Sequence, residues 1–166
     1  YPFSSLASKA EIMSAYSFYE NNEIKEAINK LNSFIELNPS GELSDYAQYL
    51  LAMCYYIEIS SEGRDPRKSN KALSYFKKII IKNPDSKYAK DARLKIEYIR
   101  YALAKSELKI GIFYLKQNSP ASSIKRFRSI IQNYQNTAVI PETLYRLSEA
   151  LLNGFRIIKP KLENIS

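Results

Sequence analysis

The chain has 166 residues, enough for one domain with a continuous core. Its hydrophobic fraction of 45% with only 4 Gly and 7 Pro excludes a loop-rich or low-complexity polypeptide, and the absence of histidine with a single cysteine, Cys54, excludes histidine triads, histidine metal sites, an internal disulfide and a cysteine-rich zinc site. The net charge of +8 admits nucleic acid, anionic lipid or acidic protein partners, but the basic residues are interleaved with acids through most of the chain, as on a solvated surface.

In chain order, the first predicted element is an amphipathic helix carrying Ala15 and, three residues on, Phe18. A second helix follows with Ala27, Leu31 and Phe34-Ile35, and Asn38-Pro39 stops it. The apolar run from Tyr49 to Tyr56 holds Cys54, which reads as a small buried hydrophobe. A polar loop, residues 60–66, precedes a further helix, with Asp65 as N-cap and Pro66 at the first helical position. That helix repeats the earlier spacing with Ala72, Phe76, Ile79-Ile80 and Asn83-Pro84. Residues 86–118 hold one Gly and no Pro, which predicts one long helix or two nearly collinear ones, with Gly111 followed by Tyr114. The spacing then recurs in Ser123, Phe127, Ile130-Ile131 and Tyr134-Gln135, and a last helix is expected over residues 141–158.

The three copies define the fold. Each places a small residue, a large apolar one four positions on, and an apolar pair at seven and eight, all on one helix face. Ala15 and Gly111 stand twelve residues before Ala27 and Ser123, so a small residue on one helix meets a small residue on its antiparallel neighbour. This is the tetratricopeptide pattern, and the expected fold is all-α, an antiparallel helix-pair solenoid over residues 1–166 whose hollow side suits a guest chain. Most tyrosines fall at core spacing and are expected to pack, with a minority lining grooves.

Candidate chemistry is sparse. Glu58, Glu62 and Asp65 cluster at a helix end or in a loop, where solvation and capping account for them. Gly63 to Ser69 ends in Lys-Ser but lacks the earlier glycine of a phosphate cradle. Nothing calls for a catalytic group, metal or cofactor, and the expectation is a protein that is not an enzyme. The most pointed basic cluster is Lys125, Arg126 and Arg128, on the face opposite Ile124, Phe127 and Ile130. Its bland reading is a solvated helix face. Its functional reading is a protein-docking patch, with an arginine forking onto a partner carboxylate. A nucleic-acid site would want a longer basic stripe.

The order of features resembles the BamD family, the tetratricopeptide lipoproteins of the outer-membrane β-barrel assembly machinery. Tyr1-Pro2-Phe3, Leu37-Asn38-Pro39, the inserted Arg64-Asp65-Pro66, Leu103-Ala104-Lys105 and the register ending Tyr134-Gln135-Asn136-Thr137 carry the match, which spans essentially the whole chain. Gln135 departs from the usual proline, so the C-terminal helix is expected to pack differently. The resemblance implies a scaffold on the periplasmic face of the outer membrane, anchored by a lipid on an N-terminal cysteine. That cysteine and most of the first repeat would precede Tyr1, and Cys54 is not the lipid site. The N-terminal repeats, residues 1–59, are then expected to take the C-terminal signal strand of unfolded outer-membrane proteins. Tyr1 matches a tyrosine implicated in substrate contact, and Phe3, Tyr16 and Tyr19 are the aromatic residues proposed with it. Residues 60–166 are expected to dock on the periplasmic POTRA domains of BamA, with Arg126 matching an arginine implicated in that coupling and Lys125 and Arg128 as neighbours on its face. Other lipoproteins of the machinery are further implied partners, nucleic acid is not, and the membrane is reached only through the anchor. The competing reading is another periplasmic tetratricopeptide adaptor, of the kind that links envelope constriction to the Tol system, which would lack the Arg64-Asp65-Pro66 insertion.

Overall fold

The computed structural model describes residues 5–61 and 66–163, with side chains over 6–59 and 66–156. They form seven helices: α1 Ser5–Glu20, α2 Ile24–Leu37, α3 Glu42–Ser61, α4 Pro66–Lys82, α5 Lys87–Lys116, α6 Pro120–Asn133 and α7 Ile140–Glu163. Among the described residues there is no strand. The fold is all-α and tetratricopeptide-like. Two compact units divide between Ile96 and Glu97, and α5 contributes residues 87–96 to the first and 97–116 to the second.

In the first unit α1 packs on α2, α2 on α3 and α3 on α4; in the second, α6 packs on α7. The recurring spacing is what packs. Ala27, Leu31 and Phe34 on α2, Ala72, Phe76 and Ile79 on α4, and Ser123, Phe127 and Ile130 on α6 are all buried, at offsets of zero, four and seven. Ala15 is buried on α1, and Cys54 is a fully buried hydrophobe on α3. Pro66 opens α4 as its spacing predicts, while Asp65 and Glu62 lie outside the described residues.

The spacing predicts that Gly111 meets the small Ser123, but the side chain nearest to it is the large Phe127, four residues further on. A Cβ placed at Gly111 would overlap Cε1 of Phe127, well inside contact distance. The bare Cα of α5 is therefore what lets the Phe127 ring sit fully buried against it.

Two turns share a device that the spacing did not reveal. Asn22 and Asn118 are left-handed, with φ of 62° and 53°. After α1, Glu23 N–H donates to the Phe18 carbonyl at 2.8 Å and Asn22 N–H to that of Tyr19 at 3.1 Å. After α5, Ser119 N–H donates to Tyr114 at 3.0 Å and Asn118 N–H to Leu115 at 3.1 Å. Both are Schellman closures with asparagine where glycine is usual, five residues before the small residue of the next helix.

Residues 86–118 hold one helix, α5, started by Ser86, whose Oγ accepts from Ala89 N–H at 3.1 Å. The last helix outruns its expected span, beginning at Ile140 and continuing to Glu163. It buries Thr143 and Ala150 while Leu144, Tyr145, Leu151, Leu152 and Phe155 are exposed.

Candidate docking and peptide-binding sites

Arg126 stands on α6 one residue before the buried Phe127, so it is carried at the edge of the packed seam rather than on a free outer face. Its Nη1 donates to both carboxylate oxygens of Glu107 on α5, at 3.0 and 3.3 Å. Both side chains remain partly exposed, at 41% and 25%. The hydrogen bond that Arg126 donates to Glu107, then the charge of that carboxylate, raise the arginine's pKa further, with a smaller contribution from Tyr114. Beside this pair lies a polar cleft of about 340 Å³ lined by Tyr114, Ser122, Lys125, Arg126 and Ser129. Two cations and three hydroxyls around one opening suit an oxyanion such as a carboxylate.

Of the basic cluster read from the sequence, the fold brings Lys125 and Arg126 to this cleft. Arg128 is exposed and does not line it. Glu107 and Tyr114 were missed, because both come from a different helix. The one available signal was Gly111: any residue a turn away from it on α5 must approach α6.

The tyrosines of the first unit form the second candidate surface. Tyr16 and Tyr19, one turn apart on α1, stack at 6.2 Å between centroids. On α3 and α5, Tyr88 packs against Tyr46 at 5.9 Å and Tyr49 at 5.0 Å. Tyr49 donates a 2.8 Å hydrogen bond to Asp91, tying α3 to α5. Burial raises the phenols of Tyr19, Tyr46 and Tyr49, while for Tyr16 the leading cause is a hydrogen bond to Glu20. All five rings are partly covered and partly open. Tyr46, Tyr49 and Tyr88 were not singled out beforehand, because period and spacing assign tyrosines to a helix face without saying which faces share one surface. Tyr1 and Phe3 lie outside the described residues.

Cys54 has its thiol pushed up to about 12, first by burial and then by the charge of Glu58. That is the behaviour of an inert packing thiol. Among the described residues no helix is long and apolar enough to cross a membrane.

Helix pairs, a glycine-cushioned crossing and two partly open polar and aromatic surfaces define a helical repeat protein of the tetratricopeptide type. The chain belongs to the outer membrane lipoprotein family YfiO, whose profile matches residues 1–154. Its similarities point the same way. It is 40% identical over 152 residues to the outer membrane protein assembly factor BamD of Rickettsia prowazekii, covering 92% of this chain and 61% of that protein. It is 37% identical over 152 residues to the protein of the same name from Caulobacter vibrioides, covering 92% and 50%. With that of Neisseria meningitidis serogroup B it shares 28% over 172 residues, covering 98% and 63%. The chain thus spans about half to three fifths of the length of these relatives.

Proposed function

We propose that this chain is a non-catalytic scaffold in the assembly of outer-membrane β-barrel proteins, working on the periplasmic face of the outer membrane. The single observation behind the general role is membership of a family whose relatives are named outer membrane protein assembly factors. Lipid anchoring follows the family's description as outer membrane lipoproteins.

In this reading the second unit docks on the periplasmic POTRA domains of BamA through Arg126, assisted by Lys125, with Arg128 contributing charge from the open face. The cleft supports this, since its cations and hydroxyls suit an acidic partner side chain. The first unit takes extended segments of unfolded outer-membrane proteins against the tyrosines around Tyr16 and Tyr19, with Tyr1 and Phe3 as the remaining candidates. Open aromatic faces and phenol hydroxyls suit an extended peptide, which offers side chains to stack and backbone groups to bond. Capture is expected to be weak and reversible, because ordering a flexible segment offsets much of the contact energy.

Titration with the isolated POTRA domains tests the docking claim. Arg126→Glu is expected to abolish measurable binding while circular dichroism stays unchanged, and undiminished affinity would remove the claim. Tyr16→Ala with Tyr19→Ala is expected to weaken binding of a fluorescent peptide carrying a client's C-terminal strand, and to leave POTRA binding alone.

A further inference from the structure

The Arg126 site rests on an acid from its own chain, and the way that acid is engaged is informative. A carboxylate that satisfied an arginine fully would face two guanidinium nitrogens in parallel. Glu107 instead shares the single nitrogen Nη1 between its two oxygens, at 3.0 and 3.3 Å. The Nε–Nη2 edge, one of the two guanidinium edges that match a carboxylate, is left unused by Glu107, and Tyr114 is the arginine's further hydrogen-bond partner. Arg126 also lines the polar cleft with Lys125, Ser122, Ser129 and Tyr114, and no acid is among those lining residues.

The pair is therefore asymmetric. Glu107 is carried mid-way along α5, with less of its side chain exposed than that of its partner. It anchors one corner of a long side chain that would otherwise sample many rotamers, each of which must be given up on binding.

We propose that Glu107 is a positioning residue that pre-orders Arg126, presenting to the cleft the edge that Glu107 leaves open, to receive the carboxylate of an acidic side chain on a folded partner. Lys125 adds a second positive charge there, and the Ser122 and Ser129 hydroxyls rotate to donate to the incoming oxygens. The cleft is walled by hydroxyl and cationic groups, with no purely apolar side chain among its lining residues, so it fits an acidic side chain better than a chain terminus carrying an apolar residue. The inference rests on the docking reading above, and it makes Glu107 favourable to binding rather than a competitor for the arginine.

Two measurements on the whole chain test it. In the free protein, side-chain ¹⁵N relaxation of the Arg126 Nε–H is expected to report an ordered group that becomes mobile in Glu107→Gln and recovers in part in Glu107→Asp. In titrations with BamA's periplasmic domains, Glu107→Gln is expected to weaken binding about threefold to tenfold, the cost of ordering one long side chain. The thermal midpoint stays unchanged, and the effect disappears in an Arg126→Ala background. An Arg126 that stays ordered in Glu107→Gln overturns the proposal whether or not any partner binds. So does unchanged or tighter binding by Glu107→Gln, or an equal loss in the Arg126→Ala background. Failure of the unaltered chain to bind those domains removes the docking reading, while the relaxation measurement still decides what Glu107 does. Competition by a peptide with a free C-terminal carboxylate, but not by one with an internal Glu and a blocked end, would overturn the choice of ligand.

Discussion

The two compact units solve one packing problem with opposite choices of size. In the α1–α2 pair of the first, the buried small residue on the leading helix is Ala15 and the buried large residue on the second is Leu31; in the α5–α6 pair of the second they are Gly111 and Phe127. At the second crossing the room left by Gly111 is filled by the Phe127 ring. The units also differ in charge. Residues 1–96 carry 14 Lys and Arg against 12 Asp and Glu, and residues 97–166 carry 11 against 5, so the net charges are +2 and +6. One unit is tyrosine-rich and nearly neutral, the other strongly basic with an arginine cleft. In the proposed function these partly open residues serve two kinds of guest, while the buried spacing of the repeat is common to both units.

Alkaline pH is the largest lever on this contrast. Cys54, with its thiol at about 12 against an ordinary value of 9.0, and the raised phenols of Tyr19, Tyr46, Tyr49 and Tyr75 all belong to the first unit. In the second, burial raises Tyr134. A raised folded-state pKa means that the folded chain keeps protons which the unfolded chain releases. The stabilisation is complete below pH 9 and is lost as pH climbs towards 12. Denaturant midpoints are expected to fall across that window, and amide exchange to show α1 and α3 losing protection before α6. Uniform loss in both units would break the contrast.

Truncating the large partner comes next. Phe127→Ala is expected to cost about 3–5 kcal/mol by chemical denaturation, since the fully buried ring leaves a cavity behind. Adding bulk sharpens the size-exchange argument: Gly111→Ala is expected to cost about 1–3 kcal/mol through the clash with that ring. Converting the second unit to the sizes of the first, with Gly111→Ala and Phe127→Leu together, is expected to recover most of that loss. A double variant no better than the sum of its parts would refute the exchange. The smallest effect concerns a feature the units share. Asn22→Ala and Asn118→Ala are each expected to cost about 1 kcal/mol in left-handed strain, whereas Gly at either place leaves stability nearly unchanged.

The packing face of the repeat was legible in advance. Ala27, Ala72 and Ser123 with Leu31, Phe76 and Phe127 are buried where their period places them, and Pro66 opens its helix. The Asn22 and Asn118 turns went unread because asparagine serves many local roles, and only a positive φ separates this one. The last helix exceeds its expected span, since nothing in the sequence near residue 158 except composition marks an end, and α7 continues to Glu163. The site was legible as a residue type more than as an arrangement. Arg126 stood out as part of a basic cluster, but its carboxylate partner did not.

The sequence by itself determined the all-α class, the pairing of helices and the face each one buries, because a 3.6-residue period and the positions of small side chains are local properties written along the chain. Tertiary structure alone decided which residues from different helices meet: Glu107 with Arg126, Tyr88 with Tyr46 and Tyr49, and the exclusion of Arg128 from the cleft. Those meetings depend on how two helices are rotated and staggered against each other. That is set by how all the packed side chains fit at once, and no stretch of sequence spells it out.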